Sequence, residues 1–109
     1  MVRSKSEAMI EAILYKNQIP FRYECALSLG HTTYYPDFTI IHPTTGETLY
    51  WEHFGCIDKP DYRQDMIKKL RDYTANQIYP SINLITTYET QEHPLDVAQL
   101  ERIFDFYFR

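Results

Sequence analysis

The chain is poor in the residues that punctuate, staple or anchor a polypeptide. Its 109 residues include only 3 Gly and 2 Cys. Cys25 and Cys56 stand in unrelated contexts and form no CxxC framework, so a disulfide-dense scaffold is excluded. Both read as reduced, mostly buried thiols, with a bond between them left open. No apolar run approaches the roughly 18 residues that span a bilayer. The start Met1-Val2-Arg3-Ser4-Lys5 has no hydrophobic segment behind it, so neither a membrane anchor nor a leader is expected and the protein reads as cytoplasmic. Positive charge is also scarce: 11 Lys and Arg against 15 Asp and Glu give a net charge of −4. That balance argues against affinity for nucleic acid through bulk basicity, while leaving a local basic face open.

What is present suits one folded domain over residues 1–109, since 44% of the residues are apolar and 16% aromatic. There is no internal repeat, low-complexity tract or linker. Ser4-Lys5-Ser6-Glu7 opens a helix running to about Asn17, with Ile10, Ile13 and Leu14 on one side. Gln18-Ile19-Pro20 ends it. Strands are expected over Phe21–Leu27, Tyr34–Ile41 and Thr48–Phe54, the last two joined as a hairpin through His42-Pro43-Thr44-Thr45-Gly46. A helix follows from Pro60 to about Asn76, then a strand over Ile82–Thr87. A closing helix from about Pro94 carries Val97, Leu100, Ile103, Phe104 and Tyr107. Helix, three meandering strands, helical crossover, strand and helix predict an α/β sandwich on a mixed sheet.

Period-2 geometry places Asp37 with Thr39 and Ile41 on one side of its strand, and Glu52 with Tyr50 and Phe54 on one side of the next. Each carboxylate sits in an otherwise apolar strand. Ionised and unpaired there, both would be costly, and facing each other they repel unless a cation lies between them. A hard divalent ion with oxygen ligands, Mg²⁺ above all, answers that need and can offset charge on a phosphoryl oxygen. The plainer reading is that Pro36-Asp37 begins a strand and Glu52 faces solvent.

The second helix adds a cation. At about 100° per residue from Tyr62, Tyr73 falls near +20°, Met66 near +40°, Leu70 near +80° and Lys69 near −20°, inside the apolar stripe. Lys69 either snorkels to water or points at an anionic centre on the sheet, whereas Lys68, near −120°, is ordinary surface. On the first helix Glu7 borders the buried face. Ser4-x-x-Glu7 is also the pattern of a capping box, which would employ Glu7 structurally. Glu24 is an edge residue or a supporting acid. His53 and Cys56 lack the further ligands of a zinc site, and neither cysteine has the surroundings of a nucleophile. The ten tyrosines could stack on bases, but most fall in registers that face the core.

Together, Glu7 on a first helix, Tyr35-Pro36-Asp37-Phe38 on a strand and Tyr50-Trp51-Glu52-His53-Phe54-Gly55 after a hairpin resemble the PD-(D/E)XK nuclease superfamily, in particular small bacterial and phage nuclease domains, some attached to helicases. The resemblance covers nearly the whole chain. It implies a restriction-endonuclease-like αβββαβ core, with a mixed four-stranded sheet flanked by helices and an added C-terminal helix. In one respect the chain departs from the pattern: the family's motif lysine, two residues after the acid, is replaced by Phe54. His53 points to the opposite face from Glu52. Some members carry that lysine on the following helix, which implies the role for Lys69.

By the same resemblance Asp37 and Glu52 would bind Mg²⁺, or Mn²⁺ in its place, with the backbone carbonyl of His53 as a further ligand and Glu7 completing the site directly or through water. Lys69 would orient the attacking water and offset charge on phosphorus. Arg3, Lys5, Arg63, Lys68 and Arg71 are candidates for the phosphate backbone, each also readable as solvated surface charge. The implied activity is a metal-dependent phosphodiesterase on DNA, an endonuclease, with a homodimer or a helicase or other DNA-processing protein as partner. The rival is a nuclease fold without catalysis that binds nucleic acid or protein. Hydrolysis of a smaller phosphoester is a third, less favoured reading.

Overall fold

Ser4 accepts the Glu7 N–H in its side chain while the Glu7 carboxylate accepts the Ser4 N–H, so the capping box forms and starts α1 (Lys5–Lys16). This computed structural model describes residues 4–109, and Arg3 lies outside the described residues. After α1 come β1 (Phe21–Tyr23), β2 (Leu27–Leu29), β3 (Thr32–Tyr34), β4 (Phe38–Ile41) and β5 (Thr48–Phe54). They are followed by α2 (Pro60–Ala75), β6 (Leu84–Tyr88) and α3 (Val97–Phe108). Pro60 stands at the start of α2, where its missing N–H costs nothing. Among the described residues no helix is long and apolar enough to cross a membrane.

The four-stranded sheet has the order β1-β4-β5-β6, antiparallel except for the β5–β6 pair, which is parallel and bridged by α2. The fold is α/β with a mixed sheet and a closing helix, as expected. Alternation along the strands divides it into two packed faces. On one, Phe38, Ile40, Leu49, Trp51 and Ile85 meet Ile10 and Leu14 of α1 and Leu100 and Phe104 of α3. On the other, Leu84 and Tyr50 meet Tyr73 and Leu70 of α2 and Leu29 of β2.

The expected first strand, Phe21–Leu27, is broken. Glu24 takes a left-handed φ of 52°, its N–H donates to the Asp37 carbonyl at 3.1 Å, and the chain then leaves the sheet. It makes a separate hairpin, β2–β3, closed by Gly30-His31 with Gly30 at φ 66°, a conformation open to glycine at little cost. This hairpin was not anticipated. Its strands have three residues each, too short to show a period. The last strand and last helix also begin two or three residues later than expected, at Leu84 and Val97.

Candidate active site

Phe38 pairs with Trp51 in the antiparallel β4–β5 ladder, so one step further along the same register Asp37 stands opposite Glu52. Directly opposed residues share a face, here the α2 face. Asp37 Oδ2 accepts the His53 N–H at 2.7 Å. Glu52, 2% exposed, accepts the Tyr73 hydroxyl on Oε2 at 2.5 Å, and the Lys69 ammonium nitrogen is 3.3 Å from the same oxygen. Lys69 and Tyr73 are four apart on α2, which puts both on the helix face turned to the sheet. Lys69 Nζ also lies 5.8 Å from the centroid of the Tyr34 ring. The helical arithmetic that directed Lys69 inward thus agrees with its position, and Lys68 is exposed.

Burial, and after it the charge of Glu52, push the Asp37 carboxyl up to about 8, against the His53 N–H and the Lys69 charge, which favour its ionised form. Glu7 acts on Asp37 in the same raising sense. It does so while occupied elsewhere, since its Oε1 takes both the Ser4 N–H and the Tyr23 hydroxyl, each at 3.1 Å. The structural role suggested by the capping box is therefore realised, and Glu7 remains within electrostatic reach of the pair. The Tyr23 hydroxyl is held protonated by burial and by Glu7.

Among the described residues no three His, Cys, Asp or Glu side chains are grouped as a ligand cluster. The donor chemistry of the pair nonetheless suits a hard cation. Asp37 Oδ1 and Glu52 Oε1 have no hydrogen bond from the described residues. Asp37 and Glu52, with Glu7 in electrostatic reach of Asp37, set several carboxylate oxygens beside the Lys69 ammonium, a donor set that suits a divalent ion once Asp37 gives up its proton. Of these groups Lys69 lines a neighbouring cleft of about 120 Å³, together with Phe54, Tyr62, Asp65 and Met66.

The remaining candidates do not join them. Lys5, Arg63, Lys68 and Arg71 are exposed, none lines the cleft, and Arg63 spends its guanidinium on the Ile57 carbonyl at 2.7 Å. Cys25 and Cys56 are free and half-buried rather than buried. Six of the ten tyrosines turn at least partly inward, as expected, though few enter the core. Tyr73 alone is fully buried; Tyr15, Tyr35, Tyr79 and Tyr88 are exposed, because most of them border the core instead of filling it.

On the opposite face of β5 lies a polar network that sequence reasoning missed. Trp51 Nε1–H donates to Thr87 Oγ1 at 3.1 Å, and His53 Nδ1 is 2.8 Å from the same oxygen. His53 Nε2 is 2.5 Å from Glu89 Oε1, which also accepts the Ser6 hydroxyl. A ring carrying its proton on Nε2 satisfies every partner: Nε2–H donates to Glu89, and the Thr87 hydroxyl donates to Nδ1. Burial alone would raise the Glu89 carboxyl, but the bonds from Ser6 and His53 outweigh it and hold it below its ordinary value. The network fastens α1 to β5 and to the end of β6, the backbones that carry Glu7 and Glu52. Ser6 and Glu89 lie 83 residues apart, so no local pattern could reveal it. Thr87→Val preserves shape but strands the Trp51 N–H. We expect a loss of about 2 kcal/mol, read as a lower urea midpoint at unchanged slope.

Comparison with protein-family models, with curated proteins and with solved structures finds no match to this chain.

Proposed function

We propose that the chain is a Mg²⁺-dependent phosphodiesterase acting on DNA, an endonuclease of the PD-(D/E)XK kind, working as one domain in the cytoplasm. The observation that carries this reading is the convergence of Asp37, Glu52 and Lys69 on one face of the sheet, with the cation supplied by α2 where β5 offers Phe54. The four-stranded sheet supports it as well: with the β2–β3 hairpin set aside, the order of elements is αβββαβ plus a helix.

In the reaction a water oxygen bonds to phosphorus and a bridging P–O bond breaks. The leaving oxygen takes a proton, giving one phosphomonoester and one hydroxyl. Asp37, Glu52 and the His53 carbonyl would hold Mg²⁺ or Mn²⁺, with Glu7 assisting directly or through water, and the ion supplies Lewis acidity at a phosphoryl oxygen. Lys69 orients the incoming water and offsets charge developing on the phosphoryl group. The Tyr73 hydroxyl fixes the Glu52 carboxylate, and the His53 N–H fixes Asp37, so neither acid has to reorganise during the reaction. Phe54 and Met66 give the cleft its apolar walls. Arg3, Lys5, Arg63, Lys68 and Arg71 hold backbone phosphates, and a second copy or a helicase-type partner adds the contacts this small chain lacks.

The test is cleavage of plasmid and oligonucleotide DNA with Mg²⁺. Asp37→Ala is expected to lower the rate by about 10³-fold or more while the protein stays folded by circular dichroism. Undiminished cutting by Asp37→Ala would remove this site from consideration. The binding-module reading rests on Phe54 at the motif position. DNA binding that persists in EDTA, with no cleavage under any divalent metal, selects it instead.

A further inference from the structure

We propose that Tyr62 is a substrate-contacting residue of this site, donating its hydroxyl hydrogen to a non-bridging oxygen of the bound phosphodiester. The inference rests on the phosphodiesterase reading above and adds to it a residue that none of the motif positions supplies.

Three tyrosines near the carboxylates have spent their hydroxyl hydrogens. Tyr23 donates to Glu7 and Tyr73 to Glu52, and Tyr34 donates to Asp72 at 2.5 Å. Tyr62 is the exception. Its oxygen accepts the Gly55 N–H at 3.0 Å, and its own hydrogen goes to no described residue. A phenol whose oxygen is already engaged as an acceptor is left with one strong donor and nothing to give it to.

The position of that donor is fixed at both ends. Tyr62 lies in the first turn of α2, just after Pro60, and Gly55 directly follows the last residue of β5. The bond between them sets the ring against the strand that carries Glu52. Tyr62 then forms a wall of the same cleft as Lys69, whose ammonium is on Glu52. Tyr62 and Lys69 are seven residues apart, two turns of one helix face, so a donor and a cation both line the cleft. Burial, followed by the charges of Cys56, Asp37 and Glu52, raises the Tyr62 pKa despite the Gly55 bond, so the group stays a donor at neutral pH. An anionic oxygen with free lone pairs is the matching acceptor, and in this pocket a phosphodiester brings it.

The alternative is that Tyr62 merely ties α2 to β5. Tyr62→Phe removes both the tether and the donor, so the experiment needs a readout specific to a phosphate oxygen. Cleavage is measured on an oligonucleotide with either phosphorothioate diastereomer at the cut site and on the all-oxygen parent, and binding is measured in Ca²⁺. The expected result is a rate on the oxygen substrate about 10-fold to 100-fold lower, measured at a temperature where the variant, short of the Gly55 bond, is still fully folded. The ratio of rates between the two sulfur diastereomers is expected to change as well, because only one places sulfur where the hydroxyl donates.

Unchanged cleavage, or an equal fall on all three substrates, overturns the inference while leaving the nuclease reading in place. If the native protein cuts nothing with any metal, the nuclease reading falls and the binding arm decides. Oligonucleotide binding at least 5-fold weaker in Tyr62→Phe then keeps the phosphate contact, and equal binding, or no binding by either protein, overturns it.

Discussion

In EDTA, the melting temperature of this protein is expected to fall as pH rises from 5 to 8, and Mg²⁺, bound as proposed, to restore most of the loss. The cause is Asp37, whose carboxyl is pushed up to about 8 by burial and by the facing Glu52. Below its ordinary value the group is protonated whether the chain is folded or not. Between that value and about 8 the folded protein keeps a proton that the unfolded chain releases, so each added pH unit favours unfolding. The contribution is full at low pH and is lost as pH climbs through the folded value.

A whole proton of difference corresponds to about 1.4 kcal/mol per pH unit, which for a domain of this size is several degrees. Asp37→Asn should flatten the curve and exceed the native melting temperature at pH 8 in EDTA. Mg²⁺ competes with that proton, so the stabilisation it gives should be larger at pH 8 than at pH 5. At a hundred times its dissociation constant the ion adds about 2.7 kcal/mol. Glu89 works in the opposite sense. Its lowered carboxyl contributes stability above its ordinary value that disappears as pH falls through the folded one, so the native protein and Asp37→Asn should both still weaken in strong acid. Calorimetric scans across pH decide the matter. A flat native profile in EDTA, or equal Mg²⁺ stabilisation in Asp37→Asn, would contradict the assignment.

Lys69→Met is expected to have the second large effect, on two measurements at once. The ammonium is 3.3 Å from a Glu52 carboxylate that is 2% exposed, and the methionine would leave that carboxylate beside Asp37 with only the Tyr73 hydroxyl for compensation. Breaking such a pair from one side costs about 3–5 kcal/mol when both partners are buried. Lys69 is 29% exposed, so about 2 kcal/mol is the expected loss at pH 7. Adding Glu52→Gln should recover much of it, because the amide no longer needs a cation. The double-mutant cycle should therefore show a coupling of about 1–2 kcal/mol. DNA cleavage should behave differently, falling about 10²-fold to 10⁴-fold in Lys69→Met and not recovering in the double variant. Native rates in Lys69→Met would confine this lysine to stabilising Glu52 and remove it from the proposed chemistry.

Local patterns revealed much of this arrangement because local physics generates it. Ser4-x-x-Glu7 announced the cap, Pro60 the start of α2, and the 100° step the inward course of Lys69. The strand carrying Glu52 was legible from its aromatic and β-branched content, whereas the strand expected over Tyr34–Ile41 begins only at Phe38, with Asp37 just before it and Tyr34 in β3. The hairpin β2–β3 was not legible, since three-residue strands carry no periodic signal and the left-handed turn at Glu24 leaves no mark in composition.

The sequence by itself determined the α/β class, the succession of helices and strands of the main sheet, and the inward side of α2 on which Lys69 falls, all of which follow from neighbours within a few positions. Tertiary structure alone decided how those groups are engaged: Tyr73 on Glu52, the His53 N–H on Asp37, and Ser6 joined through Glu89 to His53. The reason is physical. A hydrogen bond across the core depends on which surfaces a collapsed chain brings within about 3 Å, and desolvation, which moves the Asp37 carboxyl furthest, exists only once that core has closed.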